Sequence, residues 1–200
     1  MMKRRVTINK SSEFADDNMI HGKSYAFFHR PKYPALPPRW YMTLVELARR
    51  SVDIWDPYFN YNQNDVASDC RIFNHLRNSL KFRYMLVKEK ADFDKKVQTW
   101  EPEISNAIPK AVKNGTEVTL ACISTSDDLG KKWEFHDRFL IIDGERVFLI
   151  GGSLGYHLSS IASTGIFELM DEEDKNLVKD MFELYWTFAK TRNHYKEIAL

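Results

Sequence analysis

The sequence predicts an α/β fold with a mixed β-sheet. Apolar stretches with strand character alternate with helical stretches along most of the chain, which is typical of parallel strands joined by helices. Two further apolar stretches near residue 140 are joined by Asp143-Gly144, a dipeptide that favours a tight hairpin turn. A hairpin adds antiparallel neighbours to a parallel sheet, so we expect an α/β sandwich whose strands run in both directions.

The predicted strands share runs of β-branched, aromatic or other apolar residues bounded by turn-forming or charged residues. In chain order they are SYAFFH, VDIWDPYF, KFRYMLV, TEVTLACIS, HDRFLIID and RVFLIGGS. The second strand should be buried and should end at Pro57, because proline cannot donate to a sheet ladder.

The predicted helices show apolar residues at helical spacing. In chain order they are WYMTLVELARRS, CRIFNHLRNSL, DFDKKVQTWEPEISNAIPKAVKNG and DEEDKNLVKDMFELYWTFAK. We expect the third to break near Pro102 and Pro109 and to be closed by Gly115. The last begins with acidic residues, which the helix dipole favours at that end.

The proline-rich stretch PKYPALPPR, Pro31 to Arg39, predicts a domain boundary. It holds four of the seven prolines, and proline fixes the backbone and removes hydrogen-bond donors, so we expect an extended connector. Residues 1–39 are therefore predicted to be an N-terminal extension with its connector, and residues 40–200 a single domain. A chain of 200 residues is long enough to bury a substantial core.

The charge balance gives no overall attraction to nucleic acid or anionic lipid, since the net charge is +1. Residues 1–50 carry ten Lys/Arg against four Asp/Glu, a local excess that a solvated basic face explains. Cys70 and Cys122 lack metal-ligand spacing, and Cys122 lies in an apolar run typical of a buried free thiol. With no apolar run of about 18 residues and no secretory signal, we expect a cytoplasmic protein.

The stretch WEFHDRFLIIDGERVFLIGGSL, Trp133 to Leu154, contains the candidate chemistry. Strand alternation places His136 and Arg138 on the same face, one pleat apart. The neighbouring cation favours a neutral imidazole, which can attack phosphorus. The guanidinium of Arg138 can bind two phosphate oxygens at once. Taken without other information, Asp143 is the residue of a hairpin turn.

This stretch resembles the signature of the phospholipase D superfamily, in which His-x-Lys, four residues and Asp are followed by Gly-Ser-x-Asn. His136, Arg138 and Asp143 match the first half of the signature, with Arg in place of Lys. Gly152-Ser153 matches the later Gly-Ser pair with a delay of two residues, and Gly155 stands where Asn is expected. VDIWDPYF is similar to an early strand of the family, GIFEL is similar to a later segment whose Glu bonds the catalytic histidine, and the chain holds one copy of the motif.

The resemblance implies a phospholipase D-like α/β/α sandwich and a role for each matched residue. The implied catalytic set is His136 as nucleophile forming a phosphohistidine, Arg138 gripping phosphoryl oxygens, Ser153 as hydroxyl donor, Asp143 as support and Glu168 as orienter of the imidazole. It implies no metal and no cofactor, because imidazole, cations and donors supply the electrostatic stabilisation. Since the family builds one site from two motifs, a single-motif chain is implied to form a homodimer.

Three other residues are candidates for substrate binding. Gly152 accompanies Ser153, His157 follows the Gly-Gly-Ser end and could reach the mouth of a pocket, and Tyr58 in YFNYNQN could stack on a base or a lipid headgroup. Structural roles remain open for each: a loop with core-packing aromatics explains Tyr58 as well.

Three functions remain open from the sequence. The favoured one is a metal-independent phosphodiesterase acting on nucleic acid, because no membrane-docking surface stands out. The second is a non-catalytic module that binds phosphoinositides, anionic membranes or a protein. WDPYF, FHDRF and IGGSLGYHL are similar to the phospholipase D-like C-terminal domain of proteins with a microtubule-interacting-and-trafficking domain, which points to that alternative. The third is a regulatory domain of a longer protein.

Overall fold

The computed structural model describes residues 25–28, 36–57, 70–87, 89–123, 137–151 and 164–200. The strands are β1 Tyr25–Phe28, β2 Ser51–Trp55, β3 Lys81–Val87, β4 Glu117–Ile123, β5 Arg138–Ile142, β6 Arg146–Ile150, β7 Thr164–Glu168 and β8 Tyr195–Ile198. The helices are α1 Leu36–Leu47, a 3₁₀ helix Cys70–His75, α2 Lys90–Ala107, α3 Lys110–Lys113 and α4 Glu172–Thr191.

The strands form one sheet of eight in the order β1-β7-β6-β5-β2-β3-β4-β8. β2, β3 and β4 are parallel to one another, and the remaining neighbours pair antiparallel. The predicted mixed α/β sheet is therefore confirmed. The strand order follows from the chain: helical crossovers join β2 to β3 to β4, while the short turn after β5 leaves β6 as its antiparallel neighbour.

Helices cover both faces of the sheet. On one face, α1, the 3₁₀ helix and α2 close a core that includes Leu44, Phe73, Phe82, Phe93 and Trp100, each no more than 1% exposed. On the other face, α4 packs a second core of buried residues, among them Trp55, Met85, Phe182 and Trp186. Because strand side chains alternate, every central strand contributes to both cores, and the fold is an α/β/α sandwich.

The hairpin of β5 and β6 has the turn that Asp143-Gly144 predicts. Asp143 has φ 57° and Gly144 has φ 71°, as both central positions of a type I′ turn require. The backbone N–H of Glu145 donates to the carbonyl of Ile142 at 3.0 Å and closes the turn. The turn fixes the register, so Arg138 lies opposite Ile150.

The prediction of an extended connector over Pro31–Arg39 is wrong at its C-terminal end. α1 begins at Leu36 and contains Pro37, Pro38 and Arg39. Proline is tolerated in the first helical turn, where its missing N–H would have had no helical acceptor. The boundary predicted at residue 39 thus falls inside α1, and β1, from the predicted extension, pairs with β7 in the sheet.

The break predicted at Pro102 does not occur, whereas the break at Pro109 does. α2 runs from Lys90 to Ala107 with Pro102 inside it, and Pro109 separates it from α3. An internal proline costs a helix about 3 kcal/mol. The buried row of Phe93, Val97, Trp100 and Ile104 continues past Pro102, so packing on the sheet holds both halves in one helix.

Some elements differ from the sequence prediction, and the state of the cysteines confirms it. CRIFNHLRNSL forms only the 3₁₀ helix Cys70–His75. Neither β7 nor the short edge strand β8 was predicted as a strand. Cys122 is a buried free cysteine, as expected, and so is Cys70. None of the helices in the described ranges has the length and apolar character that crossing a lipid bilayer requires.

Candidate functional site

β5 and β6, the described parts of the motif, have their open ends at the same edge of the sheet. The parallel strands β2, β3 and β4 end there, and we call it the carboxyl edge. β5 is antiparallel to β2, with Phe139 opposite Trp55, so β5 starts at the carboxyl edge. β6 returns to it, with Ile150 opposite Arg138. In open α/β sheets, ligands bind at this edge.

Arg138 lies at the carboxyl edge beside a buried carboxylate. Its side chain is 21% exposed, and its Nε is 3.9 Å from Oδ1 of Asp56, whose side chain is 3% exposed. Asp56 directly follows β2, and its backbone N–H donates to the carbonyl of Met85 at 3.0 Å, which ties it to β3. At this distance the two charges form an ion pair and not a hydrogen bond, and the low-dielectric surroundings of the half-buried guanidinium strengthen its interaction with an anion.

Asp56 is the residue that sequence reasoning missed. In the sequence, the WDPYF segment stands out only as a strand that resembles the family. One signal could have identified Asp56: an acidic residue that directly follows the apolar strand SVDIW, where parallel strands end. Its partner could not be read from the sequence, since β2 and β5 are more than 80 residues apart in the chain and meet only through the sheet.

Asp143 lies at the other end of the hairpin. It comes five positions after Arg138, which is about 16 Å along an extended strand. Its carboxylate accepts backbone N–H bonds from Arg49 at 3.0 Å, Arg50 at 2.6 Å and Ser51 at 3.0 Å. Burial raises the pKa of Asp143, but the three N–H donors outweigh it and hold the pKa below the usual value. Its observed role is to join the hairpin turn to the start of β2.

Glu168 is also away from Arg138. Glu168 on β7 lies opposite Phe148 on β6, and Phe148 lies opposite Leu140 on β5. Glu168 is therefore two strands away from Arg138 and two residues further from the carboxyl edge, on the order of 12 Å. Both its carboxylate oxygens accept from Arg146, Oε1 from Nε at 2.7 Å and Oε2 from Nη2 at 2.9 Å. The Arg146 guanidinium also lies over the ring of Phe148, 4.9 Å from its centre. The ion pair between Arg146 and Glu168 therefore links β6 to β7.

The remaining predicted site residues lie outside the described residues: His136, Gly152, Ser153, His157 and Tyr58. Their roles stay predictions, including the contact between Glu168 and His136. His136 and Gly152 directly adjoin described residues, since Asp137 and Gly151 flank them in the sequence. Gly151 donates its N–H to the carbonyl of Gly165 at 2.8 Å, so the last described residue of that arm is tied to β7.

Among the other titratable groups of the described residues, two clusters include a buried acid or a histidine. Arg83 binds Asp53 with Nε to Oδ1 at 2.6 Å and Nη2 to Oδ2 at 2.9 Å, on the face under α4. His75 Nδ1 lies 2.9 Å from Glu46 Oε1, between the 3₁₀ helix and α1. Within the described ranges, no three His, Cys, Asp or Glu side chains are grouped so that they could hold a metal ion.

Comparison with known proteins yields similar structures but no similar sequences. No protein-family model matches the sequence, and no curated protein does. The fold is similar to that of Nuc from Salmonella typhimurium, a phospholipase D family member, at 10% identity and a TM-score of 0.49, covering 86% of this chain and 95% of Nuc. It is also similar to NucT from Helicobacter pylori at 15% identity and a TM-score of 0.49, covering 80% of this chain and 92% of NucT.

A third similar structure is the archaeal chromatin protein TrmBL2, which binds DNA, at 16% identity and a TM-score of 0.45. The match covers 85% of this chain and 54% of TrmBL2, so the chain spans about half of that protein. These are similarities of fold. The identity of the site residues rests on this chain alone.

Proposed function

We propose that this chain is a phosphodiesterase of the phospholipase D-like type that cleaves nucleic acid without a metal ion. The observation that supports this most is the position of Arg138. It is a guanidinium paired with buried Asp56 at the carboxyl edge, where β5 and β6 have their open ends. His136 directly precedes Asp137 in the sequence and Gly152-Ser153 directly follow Gly151, and we assign these residues to the same phosphate.

Each residue has a distinct role in this proposal. Arg138 binds two phosphoryl oxygens, and Ser153 donates its hydroxyl to the phosphoryl group. Gly152, His157 and Tyr58 line the approach of the substrate. Asp143 supports the site indirectly, by fixing the hairpin turn to the backbone before β2. The family pattern assigns Glu168 to orienting His136. Its ion pair with Arg146 favours an indirect role, in which it stabilises the contact between β6 and β7.

The reaction proceeds in two displacements. The His136 imidazole attacks phosphorus, a phosphorus–nitrogen bond forms, and the bond to the leaving oxygen breaks. A second imidazole gives that oxygen a proton, then takes a proton from the water that releases His136. The chain has one motif, so the second imidazole is His136 of the partner subunit in a two-fold dimer. We expect the dimer to act in the cytoplasm, where Cys70 and Cys122 stay reduced.

The test is hydrolysis of a single-stranded oligonucleotide and of bis(p-nitrophenyl) phosphate in excess EDTA. We expect turnover in EDTA, and a loss of at least about 100-fold in His136→Ala, because removing a nucleophile removes the covalent route. His75→Ala is the matched control, a half-buried histidine that pairs with Glu46 away from the motif. Cleavage that needs added magnesium, or full activity in His136→Ala, would overturn the proposal.

One observation favours a second candidate, a module that binds anionic phosphate groups without cleaving them. Arg138 replaces the family lysine and is paired with a buried carboxylate, and a guanidinium does not release its proton. Such a module would bind vesicles containing phosphoinositide in a salt-sensitive way, without turnover of any phosphodiester. Vesicle binding that Arg138→Met abolishes, together with no cleavage by the native protein, would select this candidate over the nuclease.

A further inference from the structure

The outward surface of α4 carries an apolar row that the fold does not bury. Leu177 is 60% exposed, Met181 37% and Leu184 65%. Phe188, one turn further on, is half-buried and lies under the guanidinium of Arg192, 4.2 Å from its ring centre. We call Leu177, Met181, Leu184 and Phe188 the α4 seam. It is distinct from the core-facing row of the same helix, Val178, Phe182, Trp186 and Ala189.

The spacing of the seam is that of a helix that packs against another helix. Its residues follow one another at intervals of four, three and four, the alternation of the a and d positions of a coiled coil. Two exposed leucines and a methionine in line are more than the scattered apolar residues of an ordinary surface. A helix laid along α4 would cover all four side chains.

We propose that the seam binds a second copy of this chain, with the two α4 helices antiparallel. In one register, Leu177 lies level with the partner's Phe188, and Met181 with the partner's Leu184. Asp174 and Arg192 flank the same side of the seam, so the same register brings Asp174 close to the partner's Arg192. The contact is therefore self-complementary, as a two-fold interface requires.

Charge selects the antiparallel direction and favours a second copy as the occupant. α4 begins with Asp171, Glu172, Glu173 and Asp174 and ends with Lys190 and Arg192. Parallel helices would set acid against acid and base against base, whereas antiparallel helices oppose unlike charges at both ends. The dipoles of two antiparallel helices also attract each other. A single register thus covers the apolar side chains and pairs the opposite charges.

This contact is separate from the one that would join two motifs. α4 follows β7, which ends away from the carboxyl edge, and precedes β8, whose Tyr195 lies opposite Ala121 near the end of β4. α4 therefore runs towards the carboxyl edge, and antiparallel copies point their carboxyl edges in opposite directions. If both contacts form, the assembly has four chains; if only the seam forms, it has two.

We expect the association to be weak. Two helices of this length meet over about 30 Å, which buries less than the roughly 800 Å² per partner of a standard interface. A dissociation constant in the micromolar range is the expectation for a contact at the low end of interface sizes. The mass should therefore be measured by sedimentation equilibrium from about 5 to 300 μM.

The first test compares Leu184→Glu with Leu47→Glu. Leu47 is a matched control, an exposed leucine at 44% on α1, which packs on the opposite face of the sheet. We expect Leu184→Glu to halve the mass reached at high concentration and Leu47→Glu to leave it unchanged. This holds whether the native assembly has two chains or four. A native mass equal to that of Leu184→Glu at every concentration would overturn the proposal.

The second test addresses direction and register. Asp174→Arg and Arg192→Glu should each weaken self-association, because like charges then meet at both ends of the seam. An equimolar mixture of the two variants should associate again, since one brings two bases and the other two acids. Unchanged association of both single variants would overturn the antiparallel register. Hydrolysis by Leu184→Glu is an independent readout, so loss of the seam and failure of the proposed nuclease are told apart.

Discussion

Asp56 Oδ1 lies 3.9 Å from Arg138 Nε, at the point where two segments more than 80 residues apart in the chain meet at one edge of the sheet. The carboxylate is buried and the guanidinium reaches the surface. Arg138 therefore brings its own counter-ion to the place where a phosphate would bind. This pair has two opposite consequences for an anionic ligand. The carboxylate attracts the guanidinium, which favours its present position, and it also repels the incoming anion.

Asp56→Asn should separate these consequences. We expect inorganic phosphate to bind about three- to tenfold more tightly, because a buried negative charge near the anion is removed. We expect kcat to fall about tenfold, because the guanidinium loses the partner that orients it. Isothermal titration with phosphate and steady-state kinetics measure the two effects. Asp53→Asn is the control, a buried acid on β2, three residues before Asp56, that faces α4 and pairs with Arg83. Both the phosphate affinity and kcat of this control should stay within about twofold. Parallel losses of binding and turnover in Asp56→Asn would mean a structural role only.

Arg138→Lys and Arg138→Met should differ in phosphate affinity. A lysine keeps the charge but not the two-pronged geometry, so we expect a loss of affinity of about threefold or less. Methionine keeps the apolar stem without the charge, and we expect a loss of at least about tenfold. Titration with inorganic phosphate at constant ionic strength gives both values. Equal affinities of the native protein and Arg138→Met would exclude Arg138 from anion binding.

Asp143→Asn should destabilise the protein in a pH-dependent way. Asparagine accepts the positive φ of the turn, so the change isolates the carboxylate that receives three N–H bonds. We expect a loss of about 1 to 2 kcal/mol in the free energy of unfolding at neutral pH. The folded-state pKa of Asp143 is below the usual 3.8, so its contribution is complete above that pH and is lost as the pH falls through the folded-state value. Urea unfolding at neutral and acid pH measures this. A difference from the native protein that does not shrink in acid would contradict it.

Arg83→Met should destabilise the α4 face, because it leaves Asp53 buried without its guanidinium. Arg83 binds Asp53 and Glu183 and lies over the rings of Phe182 and Trp186. Breaking such a pair costs about 3 kcal/mol, and replacing the acid as well by leucine, in Arg83→Met/Asp53→Leu, should recover much of the loss. Chemical unfolding of the two variants measures both.

The same variant should respond to pH. Burial already raises the pKa of Asp53, against the effect of Arg83, and loss of Arg83 raises it further. For an acid with a raised folded-state pKa, stability falls as the pH rises above the unfolded-state value. Arg83→Met should therefore lose stability from roughly pH 4 upward more steeply than the native protein. A flat profile would mean that Asp53 finds other compensation.

Local patterns were enough to predict most strands, the hairpin and its turn. The alternation in KFRYMLV and HDRFLIID and the dipeptide Asp143-Gly144 are properties of a few adjacent residues, and backbone geometry responds to them directly. The same holds for the N-terminus of α4, where Asp171 accepts the N–H bonds of Glu173 and Asp174.

Tertiary contacts decided the rest. Pro102 remains inside α2 because four buried side chains hold the helix against the sheet, and that burial outweighs a local preference for a break. Asp143 and Glu168 could be assigned to the site from the motif, but the sheet places both of them at a distance from Arg138. Asp143 binds the backbone of residues 49–51, and Glu168 binds Arg146. The contact between Asp56 and Arg138 could not be predicted from the sequence, because strand order and register determine which residues are neighbours across a sheet. The short-range pattern thus determines which segments form strands and turns, and long-range packing determines which side chains meet.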